Sequence, residues 1–81
     1  MSSRNPPLEY REVAKGLRKL GFALQLKGST GHEHWKKEER GRLYKVTVSK
    51  HNAPFGPDII KSMAAQAGVK KRVFYKACGK G

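Results

Sequence analysis

The sequence predicts an α+β fold in which two helices enclose a three-stranded antiparallel sheet, in the order α-β-β-β-α. In one segment near each end of the chain, apolar residues recur every three or four positions, which is the helical period. Between them lie three short segments that alternate apolar and polar residues and are joined by turn-forming residues. Short connections favour a meander with one packed and one wet face, so both helices are expected on one face of the sheet.

The first helix is predicted to start at Asn5-Pro6-Pro7, because asparagine caps helices well and proline is tolerated in the first turn. Gly21 is expected to end it in a left-handed conformation. The second helix is predicted from Pro57 to Ala67, with Gly68 as its stop. The expected buried stripes are Tyr10, Val13, Ala14, Leu17 and Leu20 in the first helix, and Ile60, Met63, Ala64 and Ala67 in the second.

Strands are predicted at residues 22–27, 32–37 and 43–49. The second places Trp35 on the core face, and the third places Tyr44, Val46 and Val48 there. Residues 38–41 are expected to form a hairpin loop with Gly41 at positive φ.

Beyond Val69 the chain is basic and contains no acidic residue. This tail has two interpretations, a frayed end or a segment that docks through Val73-Phe74-Tyr75, either as an extra short strand or against the first helix. A basic, aromatic tail can also contact RNA by charge and stacking.

With 81 residues the chain is expected to form one domain, 1–81, with a core at about 8–69 and a basic extension at 70–81. The single cysteine, Cys78, cannot close an intrachain disulfide, which favours a reducing compartment. No apolar run reaches the roughly 18 residues that a membrane span requires. A cytoplasmic protein without a membrane partner is therefore expected.

Eighteen Lys and Arg residues against six Asp and Glu residues give a net charge of +12. Such a surface attracts polyanions, so nucleic acid is the leading partner class, an acidic protein the second and an anionic membrane the third. The alternative is that the charge only keeps a small protein soluble.

On the predicted second strand, His32, His34 and Lys36 share a face. Histidine titrates nearest neutral pH, so His32 is the candidate to take a proton from a ribose 2′-hydroxyl or give one to the leaving oxygen. Nearby cations would neutralise the charge that builds on phosphorus; we expect Lys36, Lys37 and Arg42 to do so. The alternative is that His32 only contacts phosphate and that His34 is a bystander.

His32 and His34 with His51 could instead hold a transition metal, but zinc usually needs a fourth ligand and Cys78 is remote in sequence. We therefore expect no metal and no cofactor. The segment 28–31 resembles a phosphate-binding loop in composition only, because it leads into a strand and not into a helix.

Over about residues 9–69 the chain resembles the HicA family of toxins, small mRNA interferases of type II toxin–antitoxin pairs. The resemblance rests on the order of four segments. They are Leu20-Gly21-Phe22, then Gly28-Ser29 with His32 and Trp35, then residues 44–48, then Gln66-Ala67-Gly68-Val69.

The resemblance implies a fold like that of double-stranded-RNA-binding domains, metal-independent cleavage of mRNA, His32 as the catalytic residue and a HicB-like antitoxin that covers the site. Thr30 and Gly31 separate Gly28-Ser29 from His32 here, whereas the family pattern is Gly-Ser-His. A ribonuclease toxin is thus the first hypothesis, a non-catalytic RNA-binding module the second and a protein that docks an acidic partner the third. Expected RNA contacts are Lys27, Ser29, His34, Lys36, Lys37, Arg42 and Lys45.

Overall fold

The computed structural model describes residues 7–25 and 31–79. Their elements, in chain order, are α1 (Tyr10–Lys19), β1 (Ala23–Gln25), β2 (His32–Glu39), β3 (Arg42–Ser49), a 3-10 turn (Lys50–Asn52), α2 (Pro57–Ala67) and α3 (Lys71–Ala77). The strands form one antiparallel sheet in the order β1-β2-β3, so β2 is central. The predicted α+β class and meander are confirmed, and a third helix is added to them.

The core lies between the helices and one face of the sheet. Trp35 of β2 pairs with Val46 of β3, and both side chains are fully buried. They belong to one apolar cluster with Val13 of α1 and Ile60 of α2. This packing confirms that both predicted helices lie on the same face of the sheet. The order agrees with the double-stranded-RNA-binding-domain-like layout that the resemblance implies.

The first helix begins later than predicted. Pro7 is outside the helix, and Asn5 and Pro6 lie outside the described residues. The backbone of Leu8 donates to Phe55 at 3.1 Å and accepts from it at 2.8 Å, which holds this segment extended. Glu9 is the N-cap instead, and its N–H donates to the Glu12 carboxylate at 2.8 Å. The prediction failed because a bridge to a residue distant in sequence outweighed a local capping preference.

The hairpin between β2 and β3 is tighter than predicted. Its turn consists of Arg40 and Gly41 alone, with φ values of 53° and 76°. Positive φ at both positions is what a two-residue type I′ turn needs. The strands consequently extend to Glu39 and Arg42. In contrast, the described part of β1 is shorter than residues 22–27, and positions 26 and 27 lie outside the described residues.

The basic tail forms α3 and packs on the core. Phe74, Tyr75 and Cys78 are buried, and α3 contacts both α1 and α2. A Cβ built on Gly16 of α1 would collide with the Cys78 sulfur, so glycine permits this close approach. The interpretation in which the tail docks on the first helix is therefore correct, whereas the frayed end and the extra strand are wrong for residues 71–78. Within the described ranges, no helix has the length and apolar character to cross a membrane.

Candidate functional site

The sheet face that points away from the helices is polar and basic; we call it the open face. Strand alternation defines it, because Leu24, Trp35, Val46 and Val48 fix the opposite, core-facing set. The open face carries Ala23, Gln25, His32, His34, Lys36, Glu38, Leu43, Lys45, Thr47 and Ser49.

His32 is the first residue of β2, is exposed, and lies opposite Ser49 of β3. It therefore stands at one end of β2, on the open face. His34 lies nearer the middle, half-buried between Gln25 and Thr47. Its Nδ1 is 3.4 Å from the Thr47 hydroxyl. The structure thus brings the two imidazoles to one face, as their spacing predicted.

Lys36 and Lys45 are direct cross-strand partners on the open face. Like charges in this position destabilise a sheet, so folding does not account for the pair. An anionic ligand that bridges the two ammonium groups would remove the repulsion. The open face therefore has the charge pattern of a polyanion-binding surface.

Distance along the strand changes the expected role of these cations. His32 and Lys36 are four steps apart in β2, which at about 3.3 Å per residue separates them by roughly 13 Å. Arg42 is opposite Glu39, at the far hairpin end, roughly 23 Å from His32 by the same measure. Along the backbone, Lys36 is therefore the nearer of the two cations to His32. Lys36 also shares the open face with His32, whereas strand alternation puts Arg42 with Tyr44 and Val46 on the side of the helices.

Lys37 does not belong to the open face. Its ammonium group lies 5.1 Å from the ring centre of Phe22 and 5.3 Å from that of Tyr44, and 3.2 Å from the Glu39 carboxylate. Strand alternation places it with Trp35, on the side of the helices. Strand parity therefore separates Lys37 from His32 and Lys36, with which it was grouped from the sequence by its charge.

A polar network stands next to His32, on the helix side of β2. The Tyr10 hydroxyl donates a hydrogen bond to the Glu33 carboxylate, and the Lys50 ammonium group lies 3.8 Å from the same carboxylate. Lys50 also sits 5.0 Å from the centre of the Tyr10 ring. Burial, reinforced by the Glu33 carboxylate, raises the pKa of Tyr10 to about 12. The network joins α1, β2 and the 3-10 turn beside the candidate catalytic residue.

His51 lies against the backbone of Gly31. The Lys50 N–H donates to the Gly31 carbonyl at 3.0 Å, which brings the turn onto the start of β2. A Cβ built on Gly31 would collide with Nε2 of His51 and lie 2.9 Å from its Cδ2. Gly31 also has a φ of +83°, which disfavours other residues.

From the sequence, His51 is a candidate only as a metal ligand. The antiparallel register of the meander was the signal that could have placed it here, because the end of β3 returns to the start of β2. In residues 7–25 and 31–79, no group of three or more His, Cys, Asp or Glu side chains is arranged to hold a metal ion. Lys27 and Ser29 lie outside those ranges and stay predictions.

The structure is that of a small α+β domain in which one sheet face packs on the helices and the other is basic and bears histidines. The family model described as "HicA toxin of bacterial toxin-antitoxin" matches residues 10–69. The chain belongs to the HicA toxin family and is thus the toxin of a toxin–antitoxin system, a class that has a cognate antitoxin as partner. Comparison with curated proteins and with solved structures gave no match. Helix α3 lies beyond the matched residues.

Proposed function

We propose that this toxin is a metal-independent endoribonuclease, an mRNA interferase in which His32 is the catalytic residue. The observation that carries the proposal is the exposed imidazole of His32 at the end of the basic, polar open face. An exposed imidazole beside a polyanion-binding surface has both the access and the proton affinity that cleavage of RNA requires.

In the proposed reaction, the ribose 2′-oxygen attacks the adjacent phosphorus while its proton leaves, and the bond from phosphorus to the 5′-oxygen breaks as that oxygen gains a proton. The products are a 2′,3′-cyclic phosphate and a 5′-hydroxyl. His32 carries one of the two proton transfers. Imidazole can act as either acid or base near neutral pH, so protein side chains suffice for this chemistry.

Binding of the RNA falls to the rest of the open face. Lys36 and Lys45 would neutralise phosphates of flanking nucleotides, and their counterion release would make affinity dependent on salt. His34 and Thr47 lie between these lysines and His32, where they can contact ribose hydroxyls. Lys27, Ser29 and Arg42 remain proposed contacts outside this set.

We further propose that a HicB-like antitoxin silences the toxin by covering the open face. A partner with acidic groups would satisfy the Lys36–Lys45 pair in the same way as RNA. The toxin would act in the cytoplasm, where mRNA is available.

Replacement of His32 by Gln tests the assignment, since the amide keeps the polarity but cannot exchange a proton. We expect cleavage of RNA to fall about 10²–10⁴-fold, growth arrest to disappear and the thermal unfolding curve to stay near that of the parent. His34→Ala is the matched control because it removes an imidazole from the same face. It should weaken binding more than it lowers the rate at saturating RNA.

Cleavage by the parent should persist in excess chelator. A His32→Gln variant that cuts as fast as the parent contradicts the catalytic assignment. RNA that stays intact with the parent after long incubation, yet binds it, indicates the non-catalytic RNA-binding module. Binding to an acidic protein without any affinity for RNA indicates the third hypothesis.

A further inference from the structure

We propose that His51 is a second catalytic residue, and that His32 and His51 divide the two proton transfers of RNA cleavage between them. This inference rests on the proposed ribonuclease function. A single imidazole cannot take one proton and give another in the same step without a relay, so a second titratable group next to His32 completes the chemistry.

The placement of His51 supports this role. Its ring lies against Gly31, the residue directly before His32, and consecutive Cα atoms are about 3.8 Å apart. Both histidines are exposed. The two exposed imidazoles therefore belong to one short stretch of the fold, Gly31-His32 and the turn against it, and the proposal places the phosphodiester there.

The position of His51 is held by its neighbour. Lys50 bonds to Gly31 through its N–H at 3.0 Å and reaches the Glu33 carboxylate through its ammonium group at 3.8 Å. Residues on both sides of His32 are thus tied to the turn that carries His51. A fixed pair of proton-transfer groups is what an efficient two-proton reaction needs.

The turn also places a cation where the sequence prediction placed none. Lys50 is exposed, and its N–H bonds to the carbonyl of Gly31, the residue before His32. Its ammonium group contacts the Glu33 carboxylate and the Tyr10 ring, on the helix side of β2. Lys50 therefore holds the turn in place from the face of β2 opposite the proposed RNA.

In the balanced step, one imidazole accepts the 2′-hydroxyl proton as the 2′-oxygen bonds to phosphorus. The other, present as imidazolium, gives its proton to the 5′-oxygen as the bond to phosphorus breaks. Each histidine then returns to its initial protonation state by exchange with water. No oxidant, reductant or metal takes part in this balance.

A substrate with a 5′-sulfur leaving group separates the two roles, because a thiolate leaves without protonation. We expect the rate of cleavage of ordinary RNA to fall about 10²-fold or more in both His51→Ala and His51→Gln. On the 5′-thio substrate, the variant that lacks the proton donor should cleave at nearly the parent rate. That variant is the one replaced at either His32 or His51. Asn52→Ala, an exposed change in the same turn, is the control and should cleave both substrates like the parent.

Circular dichroism melts establish that each variant is folded, and the Gln variant covers the case in which Ala disturbs the turn. Parent-like cleavage by both His51 variants, with His32→Gln inactive, overturns this inference and leaves the proposed function intact. The inference is also overturned if the His32 and His51 variants both lose activity on ordinary RNA and neither recovers on the 5′-thio substrate. A parent that fails to cut RNA removes the proposed function and this inference together.

Discussion

The hydroxyl of Tyr10 donates a hydrogen bond to the carboxylate of Glu33, which joins the first turn of α1 to the strand that begins with His32. Glu33 faces the helices and is mostly covered, so its charge needs partners. The Tyr10 hydroxyl and the Lys50 ammonium group provide them. The bond holds α1 against β2 on the face of the strand opposite the proposed RNA.

Tyr10→Phe removes this bond and leaves the ring in place. Because the acceptor is charged and half-buried, we expect the free energy of unfolding in urea to fall by about 1–2 kcal/mol at neutral pH. Tyr75→Phe is the matched control, since the buried Tyr75 hydroxyl has no hydrogen-bond partner in the described part of the chain. That change should be neutral or stabilising. If Tyr10→Phe and Tyr75→Phe lowered the free energy of unfolding equally, the bond to Glu33 would not be what stabilises the parent.

The same bond predicts an alkaline dependence of stability. The pKa of Tyr10 rises from 10.0 to about 12, first through burial and then through Glu33. In the unfolded chain the phenol loses its proton first, so its contribution is complete below about pH 10 and is lost as pH rises towards 12. Urea midpoints measured over this range should fall more steeply for the parent than for Tyr10→Phe.

Tyr75 and Cys78 also have pKa values raised by burial, with Cys78 at about 11. They destabilise the folded state in alkali in the same direction and are present in both proteins, so the comparison cancels them. Parallel curves for the parent and Tyr10→Phe would show that the phenol does not ionise in a perturbed environment.

Helix α3 should be part of the cooperative core although it lies outside the family match. Phe74 is fully buried, whereas its neighbour Val73 is 42% exposed. Phe74→Ala should lower the free energy of unfolding by about 3–5 kcal/mol, which is most of the stability available to a domain of this size. Val73→Ala should change it by less than about 0.5 kcal/mol. Urea unfolding followed by circular dichroism measures both, and similar small effects would mean that α3 does not pack as described.

The Cys78 thiol should react slowly in the folded protein. It is buried against Gly16, and burial raises its pKa to about 11, so little thiolate is present near neutral pH. Alkylation followed by mass spectrometry should be slow in buffer and fast in urea. A Val73→Cys, Cys78→Ala double variant, which moves the thiol to the exposed side of α3, should react quickly in both conditions. Fast labelling of the parent in buffer would refute the buried placement.

Neighbouring lysines on opposite faces of β2 test the open face. Lys36→Gln should weaken RNA binding and reduce the slope of log affinity against log salt by about 1, because it removes one phosphate contact. Lys37→Gln makes the same change of charge on the helix side and should leave the slope nearly unchanged. Filter binding across a salt series measures both. A larger effect at Lys37 would place the RNA on the other face.

The positions of α1, α2 and the sheet were predictable because they depend on short-range patterns. Helical spacing of apolar residues, the alternation around Trp35 and Val46, and glycine at Gly41 each restrict the backbone locally. Alternation likewise placed His32 and His34 on one face. These features follow from the periodicity of apolar residues and from local steric preferences, both of which can be read directly from the sequence.

Other features depended on contacts between residues distant in the chain. The bridge of Leu8 to Phe55 set the start of α1, and the fit of Cys78 to Gly16 turned a basic tail into a docked helix. The approach of His51 to Gly31 arises from the register of β2 and β3. The sequence by itself determined α2, the interior of α1, the three strands and the face of His32. Only the tertiary structure decided what stands beside it, because packing distances between remote segments are set by the whole folded chain.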